Sequence, residues 1–353
     1  LAAPEGVDGD DRRRPLRGRL MPERLRVAVL GGGRSSEHDV SLRSAASVAD
    51  GLDPARFEAV RITVGRDGVW TGPDGERVAL VPGGGGPLGA DVVFPVLHGP
   101  FGEDGTVQGL LEMLGVPYVG SGVLGAALTM DKERCKAALR DAGIDVARQV
   151  LVGPDDDRGA VRARIEDELG LPVFVKPARL GSSVGISRVD AAADLDTALD
   201  LALAHDDKVL VEELLVGKEV ECSVLGLVPD LTVSVVGEIT YDAAWYDYEA
   251  KYAAGGSALV APARIADEDA ERLRATAARA FAVCDCQGMA RVDFFLTDAG
   301  RLVLNEINAI PGFTATSYYA RMLEATGIAY GDVLARLVEL ALERHARGAA
   351  LRH

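Results

Sequence analysis

A short apolar run from Leu25 to Leu30, interrupted only by Arg26, stops at Gly31-Gly32-Gly33, the pattern of a buried strand ending in a tight turn. The spacing then predicts a helix over Ser41–Leu52, halted near Asp53-Pro54. Strands at Phe57–Val64 and Ala90–Leu97, a helix over Gly105–Gly115 and a strand at Val116–Val119 follow. Strand alternating with helix predicts an open parallel sheet. A second unit opens with one helix around Leu124–Ala142 and continues through strands Leu171–Lys176 and Gly185–Val189, a helix Ala191–Ala204 and a strand Lys208–Leu215. The short glycine-rich link between its first two strands predicts an antiparallel hairpin. A third unit has strands Glu219–Leu227 and Thr232–Ile239, a polar stretch 240–256, a helix Asp267–Val283 and a hairpin Gly288–Thr297/Arg301–Asn305 turned by Asp298-Ala299-Gly300. An amphipathic helix from Gly331 ends the pattern. The expected class is α/β and α+β: an open parallel sheet in 21–121, then two α+β units in 122–215 and 216–353.

Composition narrows the possibilities. A chain of 353 residues is too long for one core. Its net charge of −16 argues against nucleic acid and anionic membrane surfaces as partners, while a local basic pocket can still hold phosphate. No run of eighteen apolar residues exists to span a bilayer. Cys135, Cys222, Cys284 and Cys286 match neither zinc spacing nor a disulfide scaffold, so reduced thiols in the cytoplasm are expected. Residues 1–20, Arg-rich and without an apolar signal core, are expected to be a disordered leader or an addition to the fold.

Three places invite phosphate or metal. Gly31-Gly32-Gly33-Arg34-Ser35-Ser36 follows a strand and precedes a helix, but Ser36 replaces the third glycine of the dinucleotide fingerprint, and no acid ends the second strand. Glu37 and His38 stand at the helix start, where an acid suits the dipole and can meet a ligand's ammonium group. No P-loop is present; the stronger phosphate candidate is Lys176 to Gly185, whose glycines and serines offer successive N–H groups beside the Lys176 charge. A hairpin turn explains that loop equally well by itself. On the last hairpin, Arg291 and Asp293 share one face and Glu306 and Asn308 share one face of the neighbouring strand. Two carboxylates and an amide oxygen are hard ligands that suit Mg²⁺.

Several blocks, in order, carry a resemblance. They are 32–41 (GGRSSEHDVS), 97–99 with 102–105 (LHG, GEDG), 130–132 (MDK), 176–185, 246–252 (YDYEAKY), and 305–308 with 311–314 (NEIN, PGFT). Together they resemble the ATP-grasp enzymes and, within them, the D-alanine–D-alanine ligases. The resemblance implies an ATP-grasp fold whose two α+β units sandwich ATP. It implies ATP as co-substrate, Mg²⁺ (two ions, with Mn²⁺ an alternative), D-alanine as substrate and a homodimer. By the same resemblance Lys132, Lys176 and Ser183 meet the phosphates, Lys251 closes on a lid at 240–256, and Glu212, Leu215 (backbone) and Glu219 hold adenine and ribose. Asp293, Glu306 and Asn308 are the implied metal ligands. Glu37, linked through Ser182 to Tyr252, holds the first D-alanine near His98; Arg291 and the Gly312 N–H face the reacting carbonyl; Ser317 and Tyr318 receive the second substrate. Tyr252 implies a dipeptide rather than an ester product. Leu180 and Ala309 depart from the family pattern. Another ATP-grasp ligase would lack Glu37 and the 246–252 block, and a non-catalytic relative would lack a metal ligand or the lid lysine. Of the histidines besides His98, His38, His205, His345 and His353 are expected to be structural or solvated.

Overall fold

The computed structural model describes residues 24–182, 184–241 and 257–351. Strand β1 (Leu25–Gly32) is buried from Val27 onward because it is central, with β2 (Phe57–Val64) and β4 (Val92–Pro95) parallel on its two sides. A short β3 (Trp70–Thr71) adds antiparallel to β2. Helices α1 (His38–Gly51) and α2 (Thr106–Leu114) belong to this unit. The strand expected at Val116–Val119 is reduced to one bridge, Val93 with Tyr118. Pro117 beside it has no N–H to extend a ladder.

The helix expected over Leu124–Ala142 is two: α3 (Val123–Met130) and α4 (Lys132–Asp141). Asp131 is extended at the break, and its carboxylate accepts from the Arg134 N–H at 3.1 Å, capping α4. Then come β5 (Gln149–Val152), α5 (Arg158–Glu168), β6 (Val173–Pro177), β7 (Ser187–Val189), α6 (Leu195–Leu203) and β8 (Val209–Glu213). Their sheet is antiparallel, in the order β5-β8-β6-β7. β5 and α5 are not visible in the sequence pattern.

The last sheet contains β9 (Gly217–Leu227), β10 (Asp230–Val233), β11 (Gly237–Tyr241), β12 (Ser257–Val260), β13 (Gly288–Thr297) and β14 (Leu302–Asn308). Its order is β12-β11-β9-β13-β14, with β10 on the far end of β9. The single strand expected at Thr232–Ile239 is split at Ser234 and Val235: Ser234 Oγ accepts from the Ser223 N–H, and the Val235 N–H leaves the ladder for Thr326 Oγ1 at 2.9 Å. Helix α7 (Asp267–Val283) and the terminal pair α8 (Tyr318–Ala325) and α9 (Tyr330–Ala349) complete the fold.

Alternation along β9 and β13 gives this sheet two different faces. Val220, Cys222, Val224, Ala290 and Val292 pack with Leu139 of α4 and Phe281 of α7 in a dry layer. The other face carries Glu219, Glu221, Arg291 and Asp293 toward one end. At its other end Leu225 and Met289 join Val27 and Phe94 of the first sheet, with α9, in a shared core. Phe313 is the joint: its ring lies 5.6 Å from Phe94, 5.4 Å from Tyr319 and 6.2 Å from Tyr330. None of the described helices is long and apolar enough to cross a membrane. Phe313→Ala empties this contact and is expected to cost about 3–5 kcal/mol; urea unfolding checks it, and a loss below about 1 kcal/mol would mean the joint is not fixed there.

Candidate active site

A cavity of ≈ 460 Å³ opens where the three sheets meet, lined from the first unit by Glu37, His98 and Glu103 and from the second by Lys132, Lys176 and Ser182. The third unit contributes Glu219, Glu221, Arg291, Asp293, Glu306, Asn308, Gly312 and Tyr318. Residues far apart in sequence thus share one wall. The β1–α1 turn sets Glu37 at the start of α1, and Ser182 Oγ donates to its Oε1 across 145 positions of chain. Gly99 must be glycine for this approach, since its φ is +74° and a Cβ there would lie 2.7 Å from Glu37 Oε2. Ser182 itself sits at φ +52°, an uncommon conformation for a residue with a side chain.

His98 is buried and fully engaged. Its Nδ1–H donates to the Ile310 carbonyl at 3.1 Å, which leaves Nε2 to accept from the Ser44 hydroxyl at 3.3 Å. Burial lowers its pKa against the pull of Glu37, so the ring is neutral near pH 7. His38, also buried, meets the Gly33 carbonyl at 2.7 Å, which is a structural role.

The lysines cluster around one acid. Lys176 Nζ is 2.7 Å from Glu212 Oε2, and Lys136 Nζ pairs with Glu212 Oε1. Burial opposes the charge on both Glu212 and Lys136. At Glu212 the two ammonium groups outweigh it and hold the carboxyl at about 2; at Lys136 burial prevails over Glu212 and pulls the pKa to about 8. Lys132 donates to the Leu180 carbonyl at 2.8 Å and lies 3.4 Å from Glu306 Oε2. Leu180 therefore serves here through its backbone, and Ala309 is buried.

Register places the acidic group. Arg291 pairs with Asn308 and Asp293 with Glu306 across β13 and β14, with a bulge after Asp293. Arg291 forks onto both Asp293 oxygens at 2.8 and 2.7 Å, and Asn308 Nδ2 donates to Asp293 at 2.9 Å. No cluster of three or more His, Cys, Asp or Glu arranged to hold a metal occurs among the described residues. Glu219 accepts from the Tyr241 hydroxyl at 2.7 Å.

Some expected residues are not at the cavity wall. Glu212 lies beneath it, reached through Lys176, and Leu215 is half-buried in the β8–β9 link. Ser317 stands just before α8 and turns its hydroxyl to Thr314, 2.8 Å from Oγ1, rather than into the cavity. Ser183, Lys251, Tyr252 and most of the 240–256 stretch lie outside the described residues. Three participants escaped the sequence reading. Lys136 lies one helical turn after Lys132, and Glu221 two places after Glu219, so periodicity carried both signals. Glu103, inside a quoted block, accepts from the Gly99 N–H at 2.7 Å and the Ile310 N–H at 3.2 Å.

Two α+β units, one bringing Lys132 and Lys176 to the cavity and the other a β-hairpin bearing two carboxylates and an amide, define an ATP-grasp ligase. Residues 26–82 and 82–121 match the family "D-ala D-ala ligase N-terminus", and residues 138–339 match "D-ala D-ala ligase C-terminus". The D-alanine–D-alanine ligase of Mycolicibacterium vanbaalenii is 47% identical, across 94% of this chain and 100% of that one. The solved D-alanine–D-alanine ligase of Coxiella burnetii is 34% identical with a TM-score of 0.85, covering 93% of this chain and 97% of its own. The VanG D-Ala:D-Ser ligase of Enterococcus faecalis is 37% identical with a TM-score of 0.82, covering 90% and 99%. The chain belongs to the D-alanine–D-alanine ligase family, ATP-dependent enzymes that make D-alanyl-D-alanine for peptidoglycan precursors.

Glu103 gives a pH signature. Burial, then the nearby Glu37 charge, push its carboxyl up to about 8. A carboxyl raised above its unfolded value supports the fold fully below that unfolded value and loses the contribution as pH rises through about 8. Glu103→Gln is expected to flatten the decline of Tm between about pH 5 and 8, read by calorimetry; an unaltered slope would assign the titration elsewhere. Lys136→Met leaves Glu212 one partner short and is expected to destabilise by roughly 3 kcal/mol at neutral pH. Denaturant titration checks this, and a neutral result would show that Lys176 alone suffices.

Proposed function

We propose that the chain condenses two D-alanines through a D-alanyl phosphate, with Lys132 and Lys176 on the ATP phosphates and Asp293, Glu306 and Asn308 on magnesium. The observation that carries this reading is the pairing of Arg291 and Asp293 with Asn308 and Glu306 across β13 and β14, on the wall that also receives both lysines. Magnesium fits these residues. The donors are hard oxygens, and cations already stand against both acids, Arg291 on Asp293 and Lys132 near Glu306. Two carboxylates and an amide form an incomplete shell, which suits an ion that takes its remaining ligands from phosphate and water. When bound, that ion neutralises charge on the transferring phosphoryl group.

A carboxylate is a poor electrophile, so phosphorylation by ATP must precede attack by the second amine. Glu37, oriented by Ser182 and by the close approach of Gly99, is suited to hold the first ammonium group. Neutral His98 adds no cation against that group. Arg291 and the Gly312 N–H are the donors for the oxyanion formed on attack. Ser183 adds a phosphate contact, and Glu212, Leu215 and Glu219 take adenine and ribose. Ser317 and Tyr318 take the second D-alanine; for Ser317 this requires its hydroxyl to leave Thr314. Lys251 and Tyr252 close the 240–256 lid, which keeps water from the acyl phosphate. Residues 21–121 act as the substrate domain, with 122–215 and 216–353 as the two halves that clasp ATP. We take the enzyme to work in the cytoplasm as a homodimer.

Phosphate release from ATP and Mg²⁺ is to be followed with D-alanine, L-alanine, and D-alanine plus D-serine or D-lactate, with products weighed by mass spectrometry. D-alanine alone is expected to drive turnover and yield the dipeptide. ATP binding without D-alanine-dependent release would leave the ATP-grasp class standing and sink the substrate. A dominant mixed product with D-serine or D-lactate would move the second-substrate assignment.

A further inference from the structure

The chemistry proposed for Arg291 conflicts with its resting contacts. Its Nε and Nη2 are engaged by the two oxygens of Asp293, at 2.8 and 2.7 Å. That fork occupies donors an oxyanion needs and the carboxylate a divalent cation needs. Asp293 cannot turn to a cation while it is the arginine's sole support, because a largely buried guanidinium left without a counter-charge is costly. A second acid is in place. Glu221 Oε2 lies 3.0 Å from Arg291 Nε, on β9 and in register with Asp293. Its side chain is only 5% exposed, it lines the cavity, and its Oε1 has no hydrogen-bond partner among the described residues. A buried carboxyl oxygen without a hydrogen-bond partner costs free energy in this state. The same oxygen is free to receive a guanidinium N–H released by Asp293.

We propose that Glu221 is a positioning residue that holds Arg291 when Asp293 passes to a divalent cation, leaving the outer guanidinium donors aimed into the cavity. It neither ligates the ion nor touches substrate. This rests on reading Asp293 as a metal ligand and Arg291 as the oxyanion donor, so the experiment separates the two ideas.

The probe is Mn²⁺ alone, bound to the full chain without nucleotide or amino acid and read as free ion by electron paramagnetic resonance. In Glu221→Ala the cation must take Asp293 from an arginine with no other carboxylate. Mn²⁺ affinity is then expected to fall about tenfold, and kcat by about ten- to a hundredfold, while KM for ATP stays within about twofold. Glu221→Gln keeps the shape and an acceptor oxygen. It is expected to lose less on both readouts, and it carries the test if the alanine variant does not fold by circular dichroism. Unchanged Mn²⁺ affinity with unchanged kcat in either folded variant would overturn the proposal. So would a fall in activity matched by an equal rise in KM for ATP. Asp293→Asn is the control: if it binds Mn²⁺ as the unaltered chain does, the metal reading fails and Glu221 with it. If it loses the ion while Glu221→Ala does not, only the role of Glu221 falls.

Discussion

The antiparallel register of β9, β13 and β14 is the constraint on which the rest depends. Side chains alternate across a sheet, so fixing the dry layer of Val220, Cys222, Ala290, Val292 and Ile307 also fixes which residues face the cavity. A slip of one residue would bury Glu221, Arg291 and Asp293 against α4 and α7. The cost of doing so is far larger than the difference between neighbouring registers of an ordinary surface hairpin. Hydrophobic burial on one face therefore specifies the electrostatics of the other.

The site is then assembled from three sheets, none sufficient alone. The first presents Glu37 over the Gly99 turn, the second ends β6 in Lys176 and Pro177, and the third carries the acids. Phe313, the residue after Gly312, ties the first sheet to the third through its ring contacts with Phe94 and Tyr319. Adhesion between units and placement of a backbone donor thus fall in one short segment. The Glu103 carboxyl repeats this arrangement, receiving one N–H from the Gly99 turn and one from the segment after β14.

Much of this was legible before the structure. The short apolar run of β1, the period of α7 and the hairpin of β13 and β14 are strong local signals, and each appears within a few residues of its expected bounds. What failed did so for local reasons. A continuous helical period ran through Asp131, where the side chain caps a new helix instead. A continuous β pattern ran through Val235, whose N–H turns to a threonine ninety-one positions away. β5 and α5 are short or polar, with few apolar positions to mark them. At the site, charges grouped in one motif were readable, but pairings across strands were not. Nothing near Glu221 in sequence names Arg291 as its partner, and nothing near Lys136 names Glu212.

The dry layer beneath the site holds all four cysteines, Cys135, Cys222, Cys284 and Cys286, each unpaired and buried. Burial also raises the pKa of Cys222 and Cys286, so few of their sulfurs are thiolates at neutral pH. The folded chain is accordingly inert to alkylating reagents, and a labelled molecule is one whose layer has opened. The rate of labelling becomes an internal clock for that opening, built into the unaltered protein and read without a reporter dye.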